Sequence, residues 1–122
     1  MAKNILIVDD SGVMRKIVQR SLRQAGLNIG TVFEGGDGKE GLAVFGEKNP
    51  DLILSDINMP NMDGLEFIRH VRAQNSTVPI IMITTEGGED KVQEALQIGA
   101  NGYVKKPFTP DQLQKTLGPI LG

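Results

Sequence analysis

Near its amino terminus the chain reads Ile5-Leu6-Ile7-Val8-Asp9-Asp10, an apolar run followed directly by two acids. The apolar residues do not alternate with polar ones, which is typical of a strand buried on both faces of a parallel sheet. Two later runs have the same character, residues 52–54 and residues 78–83. These three runs predict the central strands of a parallel sheet.

Helix signals follow each of these runs, and two weaker strand runs occupy residues 29–33 and 102–104. Capping residues or first-turn acids predict five helices, and the first of them carries its apolar stripe on Met14, Ile17, Val18 and Leu22. The predicted helices are Ser11 to about Gln24, Asp37 to about Lys48, a helix from Asp63, residues 89–98, and a helix from Thr109. The alternation predicts a doubly wound α/β fold of the (βα)5 type, with a five-stranded parallel sheet in one domain over residues 1–122.

The composition excludes several kinds of site. Hydrophobic residues make up 39% of the 122 residues and charged residues 23%, as in an ordinary globular protein. The absence of cysteine excludes disulfides and thiolate sites, and a single histidine excludes a metal site built from several imidazoles. A net charge of −2 argues against a nucleic-acid partner. No apolar run could cross a bilayer and no signal peptide is recognisable, so we expect a cytoplasmic protein without membrane insertion.

Polar residues stand where the predicted strands end. In an open parallel sheet the ligand site lies at the carboxyl ends of the strands. Clustered carboxylates repel one another, and a hard cation such as Mg²⁺ relieves that repulsion. An ammonium and a hydroxyl beside them could compensate a transferred phosphoryl group, with Asp56 as the nucleophile. The strand-end residues are Asp9, Asp10, Asp56, Thr84 and Lys106.

Four motifs stand at the ends of predicted strands: Ile7-Val8-Asp9-Asp10-Ser11, Ser55-Asp56-Ile57-Asn58-Met59-Pro60-Asn61-Met62-Asp63-Gly64, Ile83-Thr84-Thr85, and Tyr103-Val104-Lys105-Lys106-Pro107-Phe108. In this order they resemble the receiver domain of bacterial response regulators, and the resemblance covers the whole chain. Because no output domain is recognisable and Met14-Arg15 follows the acidic pair, the chain is most similar to the single-domain receivers of chemotaxis. The resemblance implies a flavodoxin-like sheet with strand order 2-1-3-4-5.

The resemblance also implies roles for the site residues. Asp56 would be the phosphorylated residue. Asp10 and Asp56 would bind Mg²⁺ through their carboxylates, Asp9 directly or through water, and Asn58 through its backbone carbonyl. Lys106 would pair with the phosphoryl group, or with Asp56 before phosphorylation.

A second set of implied roles concerns signalling. Thr84 would supply the switch hydroxyl and Tyr103 the switch aromatic ring, and the output surface would be helix 4, strand 5 and helix 5. The Lys106–Pro107 bond would be cis. Thr85 departs from the alanine or glycine of many relatives, and its bulk is expected to narrow the channel to Asp56.

The function implied is a stand-alone response regulator of a two-component phosphorelay, in chemotaxis or motility, which catalyses its own phosphorylation and dephosphorylation without being a conventional enzyme. Expected partners are a CheA-like histidine kinase, a phosphatase, and a downstream target such as the flagellar motor switch, with the chain itself a monomer. A phosphorelay intermediate or another non-chemotaxis receiver is an open alternative. A flavodoxin-like FMN-binding protein is a distant one, because Asp9 and Asp10 would repel the flavin phosphate. A haloacid-dehalogenase-type phosphatase would need a second acid two residues after the nucleophile, and the residue there is Asn58, which argues against this alternative.

Overall fold

The computed structural model describes residues 2–84 and 89–121. Within these ranges strands and helices alternate along the chain, as the sequence predicts. The elements are β1 (Lys3–Val8), α1 (Gly12–Gln24), β2 (Ile29–Gly35), α2 (Gly38–Lys48), β3 (Leu52–Asp56), α3 (Gly64–Gln74), β4 (Ile80–Thr84), α4 (Glu89–Ile98), β5 (Gly102–Lys105) and α5 (Pro110–Leu121).

The strands form one five-stranded sheet in the order β2-β1-β3-β4-β5, and every neighbouring pair is parallel. This confirms the predicted fold class and the strand order that the resemblance implies. In the part of the chain that the structure describes, no helix is both long enough and apolar enough to cross a membrane.

Side chains of the apolar strands pack into two separate hydrophobic cores, one on each face of the sheet. Because successive side chains in a strand point to opposite faces, Leu6 faces α2, α3 and α4, whereas Ile5 and Ile7 face α1 and α5. Each of these side chains is at most 1% exposed. Burying such a side chain stabilises the fold by about 1.5–3 kcal/mol, so the unbroken apolar runs hold both helical layers onto one sheet.

Local hydrogen bonds start the helices where the sequence predicts. Ser11 Oγ accepts a hydrogen bond from the Met14 N–H at 3.1 Å, and Asp37 and Asp63 accept from the backbone N–H groups of residues 40 and 66. At α5, Thr109 and Gln112 exchange hydrogen bonds between side chain and backbone at 2.9 and 3.2 Å. These caps satisfy N–H groups that a helix leaves without internal partners.

Two predicted details are wrong. The fourth strand begins at Ile80 rather than at Val78, because Pro79 has no N–H and the Val78 N–H donates to the Asn75 side chain at 2.9 Å instead. On α1, Val18 and Leu22 are buried, but Ile17 is 41% exposed. The inward stripe of α1 is narrower than predicted, and Ile17 turns toward a groove lined also by Pro107 and Phe108.

Candidate functional site

The carboxyl ends of four strands meet at one edge of the sheet. The register pairs Val8 with Ser55, Asp56 with Ile83, and Thr84 with Lys105. Residues that directly follow β1 and β5 therefore lie beside the last residues of β3 and β4. This register brings the strand-end acids, Thr84 and Lys106 into one cluster, although they are far apart in the sequence.

Three carboxylates form the centre of this cluster. One oxygen from each of Asp9, Asp10 and Asp56 lies within 4.8 Å of the other two. Asp9 is buried, Asp56 is half-buried and Asp10 is exposed. A group of acidic oxygens that is open on one side suits a hard cation that keeps several waters, such as Mg²⁺. The donor set therefore fits the metal that the sequence predicts.

The buried acid Asp9 has a partner for each oxygen. Oδ1 accepts a hydrogen bond from the Ser11 N–H at 2.9 Å, and Oδ2 accepts one from Lys106 Nζ at 3.3 Å. The same Ser11 caps α1, so the cap and the acid are held by one turn. These contacts fix the Asp9 side chain, and they place the exposed Asp10 carboxylate at the open side of the cluster.

Asp56 lies in an environment that disfavours its charge. Its Oδ1 accepts the Ile57 N–H at 2.7 Å and is 3.4 Å from the Asn58 nitrogen, while Oδ2 is 3.8 Å from Lys106 Nζ. Burial is the main cause that raises the pKa of Asp56 above its ordinary value, and the neighbouring Asp9 charge raises it further, against the opposing effect of Lys106. A bound cation would relieve this cost.

Lys106 reaches both acids from the loop after β5. Its side chain is 15% exposed, and its backbone N–H donates to the Thr84 carbonyl at 2.6 Å. The Lys106–Pro107 peptide is cis, as the resemblance implies. The contact with Asp56 that the resemblance implies is present as an ion pair, but the shorter contact is with Asp9. The neighbouring Lys105 is exposed.

The two implied switch residues differ in burial. Thr84 is 3% exposed at the end of β4, whereas Tyr103 on the edge strand β5 is 43% exposed. Thr84 pairs with Lys105 in the sheet register and Met82 pairs with Tyr103, so Thr84 and Tyr103 project from the same face. Thr85, whose bulk is expected to narrow the channel, lies outside the described residues.

A glycine lets the loop after Asp56 fold tightly. The Gly64 N–H donates to the Ile57 carbonyl at 2.7 Å, and α3 starts at Gly64. A side chain at this position would collide with the Asp56 carbonyl and would place a Cβ 2.7 Å from the Ile57 Cα. Glycine is therefore needed for α3 to begin against the end of β3, which holds the two ends of the loop of residues 57–63 together beside Asp56.

Arg15 is a residue of this site that the sequence interpretation missed. Its Nη1 donates to the Asp9 carbonyl at 2.6 Å, and its Nε donates to Glu34 Oε1 at 2.9 Å. Lys16 Nζ lies 2.8 Å from the other Glu34 oxygen. The hydrogen bond from Lys16, and then that from Arg15, hold the pKa of Glu34 below its ordinary value. The only sequence signal was the place of Arg15 one turn after the acids, because its partner Glu34 lies on β2.

Asn58 is exposed, and its side chain contacts α4. Asn58 Oδ1 accepts a hydrogen bond from Lys91 Nζ at 2.9 Å. Sequence reasoning considered Asn58 as a backbone ligand and as evidence against a haloacid-dehalogenase-type phosphatase, and it did not consider Lys91. Neither residue type signals this contact, because it depends on how α4 packs beside the loop after β3.

Comparisons with known proteins point to one family. The family model described as "Response regulator receiver domain" matches residues 5–118. A "Chemotaxis protein CheY homolog" from Campylobacter jejuni is 43% identical over 122 residues, covering 97% of this chain and 92% of that protein. "Chemotaxis protein CheY1" from Helicobacter pylori J99 is also 43% identical, covering 97% and 96%. Among solved structures, the chemotaxis response regulator CheY4 of Vibrio cholerae superposes with a TM-score of 0.86 at 41% identity, covering 99% of this chain and 100% of that one.

Proposed function

The chain belongs to the receiver-domain family of response regulators, and from that premise we propose that it is a stand-alone response regulator that accepts a phosphoryl group on Asp56. The observation that carries the proposal is the arrangement of Asp9, Asp10 and Asp56 within 4.8 Å of one another, with Lys106 in contact with two of them. Three acids beside one ammonium suit the transfer of a phosphoryl group assisted by a metal ion.

In the proposed reaction a carboxylate oxygen of Asp56 attacks the phosphorus of a phosphohistidine on a kinase. The new P–O bond forms as the P–N bond breaks, and the imidazole leaves with the electron pair of that bond. When bound, Mg²⁺ would neutralise charge on the phosphoryl oxygens, and the residues to hold it are Asp9, Asp10, Asp56 and the Asn58 carbonyl. Lys106 would pair with the transferred group, and the Thr84 hydroxyl would donate a hydrogen bond to it.

The proposed output is a change in protein binding on the face formed by α4, β5 and α5. A phosphoryl acceptor near Thr84 would draw its hydroxyl toward Asp56, and the half-exposed ring of Tyr103 on the same face could then turn inward. The curated relatives are named as chemotaxis proteins, which supports a CheA-like kinase as phosphodonor, a target such as the flagellar motor switch, and a place in the cytoplasm.

The decisive experiment is phosphorylation by acetyl phosphate with Mg²⁺, followed by mass spectrometry of the intact protein and its peptides. We expect one added phosphoryl group, located on Asp56 and lost in Asp56→Asn. Asp51→Asn is a matched control, because Asp51 is an exposed acid just before β3 and its carboxylate accepts the Asn4 N–H. Phosphate on another residue of the wild-type protein would overturn the assignment.

A further inference from the structure

The two ends of α4 are held by contacts of different strength. At the carboxyl end, Arg72 Nε and Nη2 donate to the Gly99 carbonyl at 3.0 and 2.8 Å, and Arg72 Nη1 donates to the Asn75 carbonyl at 3.2 Å. The two bonds to Gly99 join the end of α4 to α3, and the bond to Asn75 fixes the guanidinium at the end of α3 itself. Near the amino end of α4, the polar contact among the described residues is the hydrogen bond from Lys91 to Asn58 at 2.9 Å. An exposed contact of 3.5 Å between Arg69 and Glu94 lies between the two ends.

The Lys91 contact links α4 to the loop that carries the nucleophile. Asn58 Oδ1 accepts a hydrogen bond from the Lys91 ammonium, and the Asn58 backbone nitrogen lies 3.4 Å from Asp56 Oδ1. Both Lys91 and Asn58 are exposed. Asn58 therefore links Lys91 on α4 to Asp56, the acid that is proposed to be phosphorylated.

In the contact that the structure describes for Lys91, its charge is paired with a neutral group. Within the described ranges of the chain, the polar contact of Lys91 is with a neutral amide oxygen. Asp56, whose Oδ1 lies 3.4 Å from the Asn58 nitrogen, belongs to the acidic cluster with Asp9 and Asp10. An anionic oxygen adds Coulomb attraction to the hydrogen bond from an ammonium, and a neutral amide oxygen does not supply that attraction. An anion placed on Asp56 would therefore compete well with the amide for Lys91.

We propose that Lys91 is a positioning residue that moves from Asn58 to the phosphoryl group and pulls the first turn of α4 toward the site. The inference rests on the proposed phosphorylation of Asp56. The four-carbon stem of lysine is flexible enough to follow an anion that appears beyond the amide. Because the Arg72 contacts hold the carboxyl end of α4, the helix would pivot about Gly99.

This route to the output face is separate from the pair Thr84 and Tyr103. It runs through a side chain of α4 itself, whereas Thr84 and Tyr103 lie on β4 and β5. The two routes respond to the same added charge, so loss of Lys91 should weaken the response of α4 and leave the Tyr103 ring able to respond.

The test measures binding of beryllofluoride, which mimics the phosphoryl group, in the presence of Mg²⁺ by NMR titration. We expect Lys91→Gln to weaken this binding by about 2- to 5-fold, the upper part of the range for one exposed charge contact, and the deficit to shrink in high salt. Beryllofluoride binding should change the NMR chemical shifts of Lys91→Gln less than those of wild type. This reduction should be largest at residues 89–92 and smallest near Gly99. Lys115→Gln is the matched control, because it removes an exposed lysine from another helix, and it should change the affinity less than twofold.

The Asn58→Ala variant distinguishes direct attraction between Lys91 and the phosphoryl mimic from a purely structural role of the contact between Lys91 and Asn58. In Asn58→Ala, which keeps its backbone carbonyl, the Lys91→Gln change should still weaken beryllofluoride binding. Equal affinity of wild type and Lys91→Gln, or an effect that disappears in the Asn58→Ala background, would overturn the role of Lys91. Failure of the wild-type protein to bind beryllofluoride at all would instead overturn the proposed function, and this inference with it.

Discussion

The ammonium nitrogen of Lys106 lies 3.3 Å from Asp9 Oδ2, nearer than the 3.8 Å that separates it from Asp56 Oδ2. Asp9 is the buried acid of the cluster, with a relative exposure of 3%. A buried carboxylate without a partner is costly, because its charge loses water and gains nothing in return. Lys106 therefore stabilises the resting site through Asp9, in addition to its proposed contact with the phosphoryl group.

Removing Lys106 should destabilise the metal-free protein. We expect Lys106→Ala to lower the free energy of unfolding by about 1–3 kcal/mol, because Asp9 would keep a buried oxygen without a donor. Millimolar Mg²⁺ should restore part of this loss, since the ion would replace the missing positive charge. Thermal unfolding with and without Mg²⁺ measures both effects. Lys115→Ala, at an exposed lysine of α5, should have a much smaller effect; equal destabilisation by the two variants would contradict the role of Lys106 toward Asp9.

Magnesium should stabilise the folded protein through the acidic cluster. Binding to the folded state alone adds RT ln(1 + [L]/Kd), which is about 1.4 kcal/mol at tenfold the dissociation constant. Asp10→Asn should remove most of this gain without harming the metal-free fold, because Asp10 is exposed. Asp111→Asn, an exposed acid in the first turn of α5, serves as the control and should keep the full gain. No change in the wild-type melting temperature with Mg²⁺ would argue against the metal site.

Glu34 should make part of the stability dependent on pH. The folded state lowers the pKa of Glu34 from its ordinary value of 4.5, mainly through the hydrogen bond from Lys16. The stabilisation is therefore fully present above the unfolded pKa and is lost as the pH falls through the folded pKa. We expect Glu34→Gln to cost less than about 1 kcal/mol at neutral pH, since the pair is partly exposed.

Denaturant unfolding of Glu34→Gln and wild type from neutral to acidic pH, in metal-free buffer, tests this assignment. The difference should be constant near neutrality and should vanish below the ordinary range of a glutamate. Glu47→Gln is the matched control, because Glu47 and its partner Lys48 are 70% and 46% exposed, and it should change stability little. If the difference in unfolding free energy between wild type and Glu34→Gln grew toward acidic pH, it would contradict a lowered pKa of Glu34 in the folded state.

Thr84 should couple phosphorylation to the output face through its hydroxyl. We expect Thr84→Ala to accept phosphate on Asp56 but to lose most of the phosphorylation-dependent change at the Tyr103 ring, measured by NMR with beryllofluoride. Thr84→Ser keeps the hydroxyl and should keep the change. Because Thr84 is 3% exposed, the serine variant also controls for the loss of a buried methyl group. A ring that does not respond in wild type, or that responds fully in Thr84→Ala, would exclude this mechanism.

Features that depend on neighbours along the chain could be predicted from the sequence. The caps at Asp37, Asp63 and Thr109 all act on a backbone N–H three residues later, and a fixed backbone spacing makes such contacts readable from residue types alone. The apolar runs predict strands for a similar reason, since burial on both faces demands it. Because the carboxyl ends of parallel strands meet at one edge, the acids, Thr84 and Lys106 could be predicted to cluster.

Contacts between distant segments were decided only by the tertiary structure. Arg15 meets Glu34 across 19 residues, Arg72 meets Gly99 across 27, and Lys91 meets Asn58 across 33. Each depends on how a helix is rotated and where it rests on the sheet, and helix rotation also exposes Ile17. The contact of Lys106 with Asp9, across 97 residues, was also decided by the tertiary structure. The sequence position of Lys106 predicts that it reaches the acids, but the packing of the loop after β5 decides that Asp9 is the nearer one, because differences of half an ångström arise from the whole fold and not from residue type.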